Sequence, residues 1–191
     1  KKMPFPKIPK ECDARVLYKV QEYALGGLYT VLPPVRNDYR TVRIKEVQGA
    51  NYITFDTSKH IATIVLSEYK TSKKYGSIKL YVTASQSAKH KLLYEALKDL
   101  ANARKLIGDE YLFAPQRGGR EPLTSPNYSQ ILTTLYQHHL GKPLGSQMIR
   151  KIYLSYMQRD EPTLIEKQNT AAAMGHSTSM QSLYRRLPDS T

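Results

Sequence analysis

Residues 52–84 read YITFDTSKHIATIVLSEYKTSKKYGSIKLYVTA, and this stretch decides the fold class. Three of its segments, YITF, IATIVLSEY and SIKLYVTA, are rich in the β-branched and aromatic residues that favour strands. The polar segments DTSK and KTSKKYG separate them, as turns separate the strands of a meander. The stretch therefore predicts a small three-stranded antiparallel sheet, whose long second turn carries three lysines.

The sequence on the amino-terminal side of this stretch has helical periodicity. Asp13 is a good N-cap, and the helix that follows it ends before Pro33 and Pro34. One face of this helix is predicted to carry the apolar residues Val16, Val20, Tyr23, Ala24, Leu28 and Val31. A second, short helix is predicted over residues 37–42.

Helical periodicity returns on the carboxyl-terminal side. A helix is predicted to begin at Ser87, and its apolar stripe consists of Leu92, Leu93, Ala96, Leu97 and Leu100. Another is predicted over residues 125–140, with Ser125 as N-cap and Pro126 in its first turn. Further helices are predicted over residues 146–157, 162–175 and 179–187. The expected fold class is therefore α+β, mostly helical, with one small antiparallel sheet.

Length and composition favour one folded domain. A chain of 191 residues is long enough to bury a core, and its 40% hydrophobic and 24% charged residues resemble ordinary globular usage. Residues 1–12 are predicted to form a basic arm or a linker from an upstream region, and residues 13–191 the domain. The single Cys12 excludes an internal disulfide, and no apolar run approaches the ~18 residues of a membrane span.

The charge of the chain points to a polyanionic partner. Lysine and arginine number 29 against 16 aspartate and glutamate residues, which gives a formal net charge of +13 and a pI near 9.7. Basic side chains displace the counterions condensed on phosphates, so this excess is typical of proteins that bind nucleic acid. A solubilising surface or a membrane-facing patch also accounts for the charge, and charge alone leaves these interpretations open.

Four short motifs occur in order along the chain. LYTVLPPVRNDYRTVRI contains Arg36, SEYKTSKKYGSIKL contains Lys70, GSQMIRKIY contains Arg150, and MGHSTSMQSLY contains His176 and Tyr184. Together they resemble the catalytic domain of tyrosine recombinases, the integrases that break and rejoin DNA, over nearly the whole chain. The Pro-Pro-x-Arg form of the first motif is similar to versions from large DNA viruses and their satellites, which implies a viral or mobile element.

The resemblance implies a role for each of these residues. Tyr184 attacks a DNA phosphodiester and forms a 3′-phosphotyrosyl link, so rejoining needs no nucleotide cofactor. Arg36 and Arg150 hold the phosphate oxygens, because a planar guanidinium bonds two of them at once. His176 assists the tyrosine's proton or donates to the phosphate, and Lys70 protonates the departing sugar oxygen. No metal ion or other cofactor is implied, because the arginines do the work that Mg²⁺ ions do in other nucleases.

The sequence departs from the family's pattern in two motifs. Gln147 stands where the family usually has a catalytic histidine, and an amide can bond to a phosphate but cannot shuttle a proton. The first motif usually has an acidic residue three positions after its arginine, whereas here Asp38 comes two after Arg36 and Tyr39 takes the third place. Arg40 is therefore a rival for the first catalytic arginine.

The lysine assignment and the DNA contacts also have alternatives. Lys73 and Lys74 compete with Lys70 in the same turn, and Lys70 is preferred because a Lys-Thr pair at the strand's end is the form of the family's hairpin. Residues expected to contact DNA are Lys73, Lys74, Arg185 and Arg186. Taken singly, each site residue has an ordinary interpretation: an arginine on an amphipathic helix snorkels, a tyrosine packs in the core, and lysines form a solvated turn.

The resemblance also implies partners. It implies double-stranded DNA, a homo-tetramer assembled on that DNA, no membrane, and an intracellular location wherever the DNA lies. A type IB topoisomerase-like enzyme, which relaxes supercoils with the same residue set, is one alternative. A catalytically silent DNA-binding module of the same fold is another. A basic RNA-binding protein accounts for the charge but gives no reason for the spacing of His176 and Tyr184.

Overall fold

Helices predominate in the structure, a computed structural model that describes residues 13–115, 121–157 and 162–184, with the backbone alone for residues 182–184. The described helices are α1 (Ala14–Val31), a 3₁₀ helix (Asn37–Thr41), α2 (Ser72–Tyr75), α3 (Ala88–Leu106), α4 (Ser125–Leu140), α5 (Ser146–Met157), α6 (Leu164–Ala173) and α7 (Thr178–Tyr184). The predicted basic arm of residues 1–12 lies outside the described residues. None of the described helices is long and apolar enough to cross a membrane.

The predicted sheet is confirmed, with strands β1 (Tyr52–Asp56), β2 (Ile61–Leu66) and β3 (Ile78–Thr83). The strands are antiparallel and lie in the order β1-β2-β3. Side chains of β3 alternate, because Ile78, Leu80 and Val82 are buried while Lys79 and Tyr81 are exposed. One face of the sheet therefore packs on the core, against α3, and the predicted α+β class, mostly helical, is confirmed.

Helix α1 has a wider buried face than the sequence predicted. Its N-cap is Asp13, as expected, whose carboxylate accepts a hydrogen bond from the Arg15 backbone at 2.8 Å. Val20, Ala24 and Leu28 are buried as expected, but Val16, Tyr23 and Val31 are only partly buried. The additional buried residues are Leu17, Gln21, Leu25 and Tyr29. The difference arises because α1 packs against both α3 and α4, so two contact faces merge into one.

Two adjacent glycines let α1 approach these neighbours closely. A Cβ atom on Gly27 would lie 2.8 Å from Leu93 Cδ1 of α3. A Cβ atom on Gly26 would lie 2.9 Å from Leu135 Cδ2 of α4. Glycine costs a helix interior about 1 kcal/mol relative to alanine, and here the missing side chains make room for both partner helices.

Three local predictions need correction. The N-cap of α4 is Thr124 and not Ser125, because the Thr124 hydroxyl accepts a hydrogen bond from the Asn127 backbone at 3.3 Å. Leu92 of α3 is 42% exposed, because the core-facing stripe is carried by Leu93 and residues in phase with it. The second strand ends at Leu66 and not at Tyr69, because the backbone N–H groups of Ser67 and Glu68 bond to Asn51 Oδ1, and the long turn that follows contains the single helical turn α2.

A buried polar cluster joins α1, α3 and the chain after α3. Arg104 is 1% exposed and donates to Asp109 Oδ2 and to Gln21 Oε1, each at 2.7 Å. Gln21 Oε1 also accepts from the Ala114 backbone at 2.9 Å. Besides Asp109, the Arg104 guanidinium has the Gln21 side-chain oxygen and the Ala114 carbonyl as acceptors, which offset part of the cost of burying its charge.

Candidate active site

Arg36 lies two residues after Pro34 and is the N-cap residue of the 3₁₀ helix. Its backbone is held by α1, because the Tyr29 hydroxyl donates to the Arg36 carbonyl at 2.5 Å. Burial raises the pKa of Tyr29 well above its usual range, so the phenol keeps the proton that this bond needs. The turn that carries Arg36 is thus fixed to the core, while the Arg36 side chain is half-buried.

Arg150 of α5 is the most deeply buried of the predicted site residues whose side chains are described. It is 1% exposed, and its Nη1 atom donates to the Pro34 carbonyl at 2.9 Å and to the Met174 carbonyl at 3.1 Å. The first carbonyl lies two residues before Arg36 and the second two residues before His176. Arg150 therefore joins the segment from Pro33 to Arg36, here called the arginine turn, to the segment from Met174 to His176, here called the histidine turn. The interpretation as a snorkelling surface residue is wrong.

His176 lies between α6 and α7 and is 5% exposed. Burial, and then the positive charges of Arg150 and Arg36, lower the pKa of His176 to about 4. The imidazole is therefore neutral near pH 7, with one nitrogen able to donate and the other to accept a proton. The same charges show that the three side chains share one electrostatic neighbourhood, although they come from three distant parts of the chain.

Gly175, the residue before His176, contacts the turn between β2 and β3 that carries Lys70, here called the lysine turn. Its φ angle is +63°, which glycine adopts readily, and a Cβ atom here would lie 2.8 Å from Cε2 of Tyr69. On the other side of Lys70, the Thr71 hydroxyl donates to the Gly175 carbonyl at 2.7 Å. Both sequence neighbours of Lys70 thus contact Gly175, while the Lys70 side chain itself is exposed.

Asn51 fixes the lysine turn relative to the arginine turn and was missed by the sequence analysis. The side chain is fully buried, and its Oδ1 atom accepts from the backbone N–H groups of Ser67 and Glu68 at 2.7 and 2.8 Å. Its Nδ2 atom donates to the Thr41 hydroxyl at 2.8 Å, to the Glu68 carbonyl at 2.9 Å and to the Asp38 carbonyl at 3.3 Å. The end of β2 is therefore bonded to the 3₁₀ helix that follows Arg36.

An open pocket of about 270 Å³ lies at Arg36. Its lining residues are Arg36, Asn37, Asp38, Arg40, Ser125, Ser146 and Gln147. Asn37 holds the pocket together, because Ser146 donates to its Oδ1 atom at 2.8 Å and its Nδ2 atom donates to Ser125 and Ser129 at 3.1 and 2.9 Å. The pocket is therefore rigidly framed by the 3₁₀ helix and the starts of α4 and α5.

Arg36 and Arg40, the two candidates for the first catalytic arginine, line the same pocket but have different neighbours. Arg40 lines it and donates to the Leu123 carbonyl at 3.3 Å. Burial raises the pKa of Asp38, and the charges of Arg36, Arg150 and Arg40 lower it in part. All three arginines therefore lie near this carboxyl group, but only Arg36 and Arg150 act on His176.

Three of the remaining predicted site residues, Gln147, Lys73 and Lys74, have exposed side chains. Gln147 is exposed at the pocket, beside Arg36. Lys73 and Lys74 are exposed on α2, and Lys74 Nζ lies 5.4 Å from the centre of the Tyr75 ring. Tyr184 ends α7, which packs against α5 and α6, and its side chain lies outside the described residues.

Arg185 and Arg186 lie outside the described residues altogether. Within the described part of the chain, no three His, Cys, Asp or Glu residues are grouped so as to hold a metal ion.

Three solved structures share this arrangement of helices and sheet. The structure aligns with XerA recombinase at a TM-score of 0.60 and 16% identity, over 98% of this chain and 62% of that chain. It aligns with the XerH site-specific recombinase bound to palindromic difH substrate, a post-cleavage complex, at a TM-score of 0.60 and 18% identity, over 99% of this chain and 52% of that one. The chain has a tyrosine recombinase-like fold.

A pre-cleavage complex of XerH with difH substrate also aligns with this recombinase-like fold, at a TM-score of 0.60 and 16% identity, over 98% of this chain and 53% of that chain. The chain thus spans less than two thirds of the length of these recombinases. No protein-family model matches the sequence, and no curated protein matches it. The predicted fold, a helical tyrosine-recombinase catalytic domain with a small sheet, is confirmed by the aligned structures.

Proposed function

We propose that this chain is the catalytic domain of a tyrosine recombinase that cleaves and rejoins double-stranded DNA through a 3′-phosphotyrosine intermediate. One observation carries the proposal: the arginine turn, the lysine turn and the histidine turn converge. Arg150 bonds to the first and third, and Gly175 contacts the neighbours of Lys70. Two guanidinium groups acting on a neutral imidazole are also the set of groups that the proposed reaction uses.

In the proposed reaction, Tyr184 Oη attacks phosphorus and the bond from phosphorus to the 5′ oxygen breaks. The phenol proton passes to His176, and the 5′ oxygen takes a proton from Lys70, so the phosphotyrosyl link and a free 5′ hydroxyl result. Arg36 and Arg150 stabilise the charge that grows on the non-bridging oxygens. Rejoining follows the same steps in reverse, and the retained phosphodiester energy makes it independent of a nucleotide cofactor.

The low pKa of His176 fits this role. A neutral imidazole is able to accept the phenol proton, which a histidine already protonated at neutral pH is not. Burial, and then the charges of Arg150 and Arg36, keep the imidazole neutral, and a bound phosphate would oppose the charge part of this effect. Binding of the DNA phosphate therefore raises the proton affinity of His176 at the moment when Tyr184 must lose its proton.

A trapping experiment tests the proposal. The chain is incubated with duplexes that carry a randomised sequence beside a nick, so that the fragment released by cleavage diffuses away and a covalent adduct accumulates. A label at the 5′ end of the cleaved strand stays on the protein if the link is a 3′-phosphotyrosine. Sequencing of the trapped strands then identifies the preferred site.

We expect the adduct with the unaltered chain and none with Tyr184→Phe. Tyr81→Phe is the matched control, because this tyrosine is 55% exposed on β3 and lies outside the proposed site. A Tyr184→Phe variant that still forms the adduct would assign the nucleophile elsewhere. Absence of any adduct with the unaltered chain would refute the enzyme proposal.

A silent DNA-binding module is the second candidate, favoured by two observations. Gln147 stands at the pocket where the resemblance has histidine, and Arg150 Nη1 is engaged with backbone carbonyls. The trapping experiment separates the candidates, because a silent module retards labelled DNA in a gel and forms no adduct. The predicted tetramer on DNA separates a recombinase from a topoisomerase-like enzyme, which relaxes a supercoiled plasmid as a monomer.

A further inference from the structure

One side-chain hydrogen bond joins the lysine turn to the histidine turn. The Thr71 hydroxyl donates to the Gly175 carbonyl at 2.7 Å, across 104 positions of sequence. Thr71 directly follows Lys70, and Gly175 directly precedes His176. The bond therefore lies between the residues proposed as the acid for the leaving oxygen and the base for the phenol.

The lysine turn has a second attachment that does not depend on this bond. The Tyr69 ring packs against Gly175, and its hydroxyl donates to the Gly76 carbonyl at 2.7 Å within the same turn. The strands on either side remain paired from Ile61 to Leu66 and from Ile78 to Thr83. Removal of the Thr71 hydroxyl therefore leaves the hairpin folded and docked, and changes only the setting of the backbone around Lys70.

That setting decides where the Lys70 ammonium lies. The side chain is exposed, so its long stem has no packing to direct it, and its origin at Cα is the main restraint on its reach. A general acid must come within about 3 Å of the oxygen that it protonates. A small rotation of the turn about the Tyr69 contact is enough to spoil this distance.

We propose that Thr71 is a positioning residue, whose hydrogen bond to the Gly175 carbonyl places Lys70 at the leaving oxygen, and that it acts through Lys70 alone. This inference rests on the function proposed above. The Thr71 hydroxyl touches neither the phosphate nor the nucleophile in this scheme, and its bond is to a backbone carbonyl that any residue at position 175 supplies.

Matched variants test the inference. Thr71→Val keeps the branched shape and removes the hydroxyl, whereas Thr71→Ser keeps the hydroxyl. Each is compared with Lys70→Ala and with the double variant in single-turnover adduct formation, on a nicked duplex of the sequence recovered by trapping. A second duplex replaces the 5′ oxygen at the cleaved bond by sulfur, so that a thiolate leaves without needing a proton.

We expect Thr71→Val to slow cleavage of the oxygen substrate by about 10- to 100-fold, because misplacement of a catalytic group by about 1 Å costs up to ~100-fold. The sulfur substrate should react at nearly the wild-type rate, Thr71→Ser should recover most of the lost rate, and the double variant should match Lys70→Ala. The denaturation midpoint of Thr71→Val should fall only as far as the loss of one hydrogen bond requires, because Tyr69 and the strand pairing remain.

Other results would overturn the inference. Equal slowing of both substrates by Thr71→Val would show that the residue supports the whole site and not Lys70. A Thr71→Ser variant as slow as Thr71→Val would exclude the hydroxyl. Failure of the wild-type chain on both substrates would refute the proposed function and this inference with it, whereas an active wild type with an unrescued Thr71→Val refutes this inference alone.

Discussion

Replacement of Gly175 by alanine is expected to lower the free energy of unfolding by about 2–5 kcal/mol. The backbone contributes the first part, because φ is +63° at this residue and a left-handed conformation costs an L-residue about 1–2 kcal/mol. Overlap contributes the second. The new Cβ atom would lie 2.8 Å from Tyr69 Cε2 and 3.0 Å from Ile78 Cδ1, and overpacking of this kind costs about 1–3 kcal/mol.

Gly141 offers a matched control for the backbone part. It ends α4 with φ at +68°, and no atom lies within 4 Å of the Cβ position there. Gly141→Ala should therefore lower the free energy of unfolding by about 1–2 kcal/mol and no more. Urea denaturation of both variants, with unchanged slopes of unfolding free energy against denaturant, gives the difference directly.

A double-mutant cycle then assigns the difference to one contact. In a Tyr69→Ala background the ring is gone, so Gly175→Ala should cost less than it does in the wild-type background, by about 1–2 kcal/mol. Equal losses for Gly175→Ala and Gly141→Ala would refute the reasoning, because the Tyr69 ring would then yield without cost. Equal losses would also show that the Tyr69 ring does not pack closely against Gly175, and this contact is the reason given above for the docking of the lysine turn.

Three further predictions concern the site. The pKa of His176 is about 4 in the folded chain and about 6.5 in the unfolded chain. Between these pH values the unfolded chain binds more protons than the folded chain. The free energy of unfolding should therefore fall as pH falls from about 6.5 to 4. His176→Gln should flatten that slope in denaturation series at several pH values, and an unchanged slope would contradict the assignment. Asn51→Ala should lower the free energy of unfolding by about 2 kcal/mol or more, because two backbone N–H groups lose their acceptor at a cost of about 1–3 kcal/mol each. A loss below about 0.5 kcal/mol in urea denaturation would show that water replaces the Asn51 oxygen as the acceptor. Lys70→Ala should slow adduct formation by about 10²- to 10⁴-fold and Lys73→Ala far less, and the reverse order would assign the acid to Lys73.

The fold class was predictable because the sequence signals agree with one another. Strand composition over residues 52–84 stands out against helical periodicity on both sides. Asp13 caps its helix as expected, and the helix predicted from Ser87 begins there. The buried face of α1 was less predictable. A helix that packs against two other helices buries residues on a wider part of its surface than one line of apolar residues covers. Thr163 and Glu166 form a capping box at α6 whose signal was present in the sequence and was not used.

The site was predictable only in part, because its chemistry is local in sequence and its geometry is not. A motif search finds arginine, lysine, histidine and tyrosine, but Asn51 and Thr71 belong to contacts between segments far apart in the chain. Periodicity carries no information on such contacts. The sequence offered one weak indication of these contacts: Asn51 directly precedes the first apolar strand, and the Lys70-Thr71 pair follows the second strand.

The position of Arg150 has a consequence for searches among distant sequences. Since one guanidinium joins the carbonyls of Pro34 and Met174, a related chain should lose stability without this arginine whether or not it cleaves DNA. Retention of the arginine is then a poor sign of activity. Under the proposed function, loss of an exposed residue such as Lys70, which no packing preserves, is the better sign that a related chain is inactive.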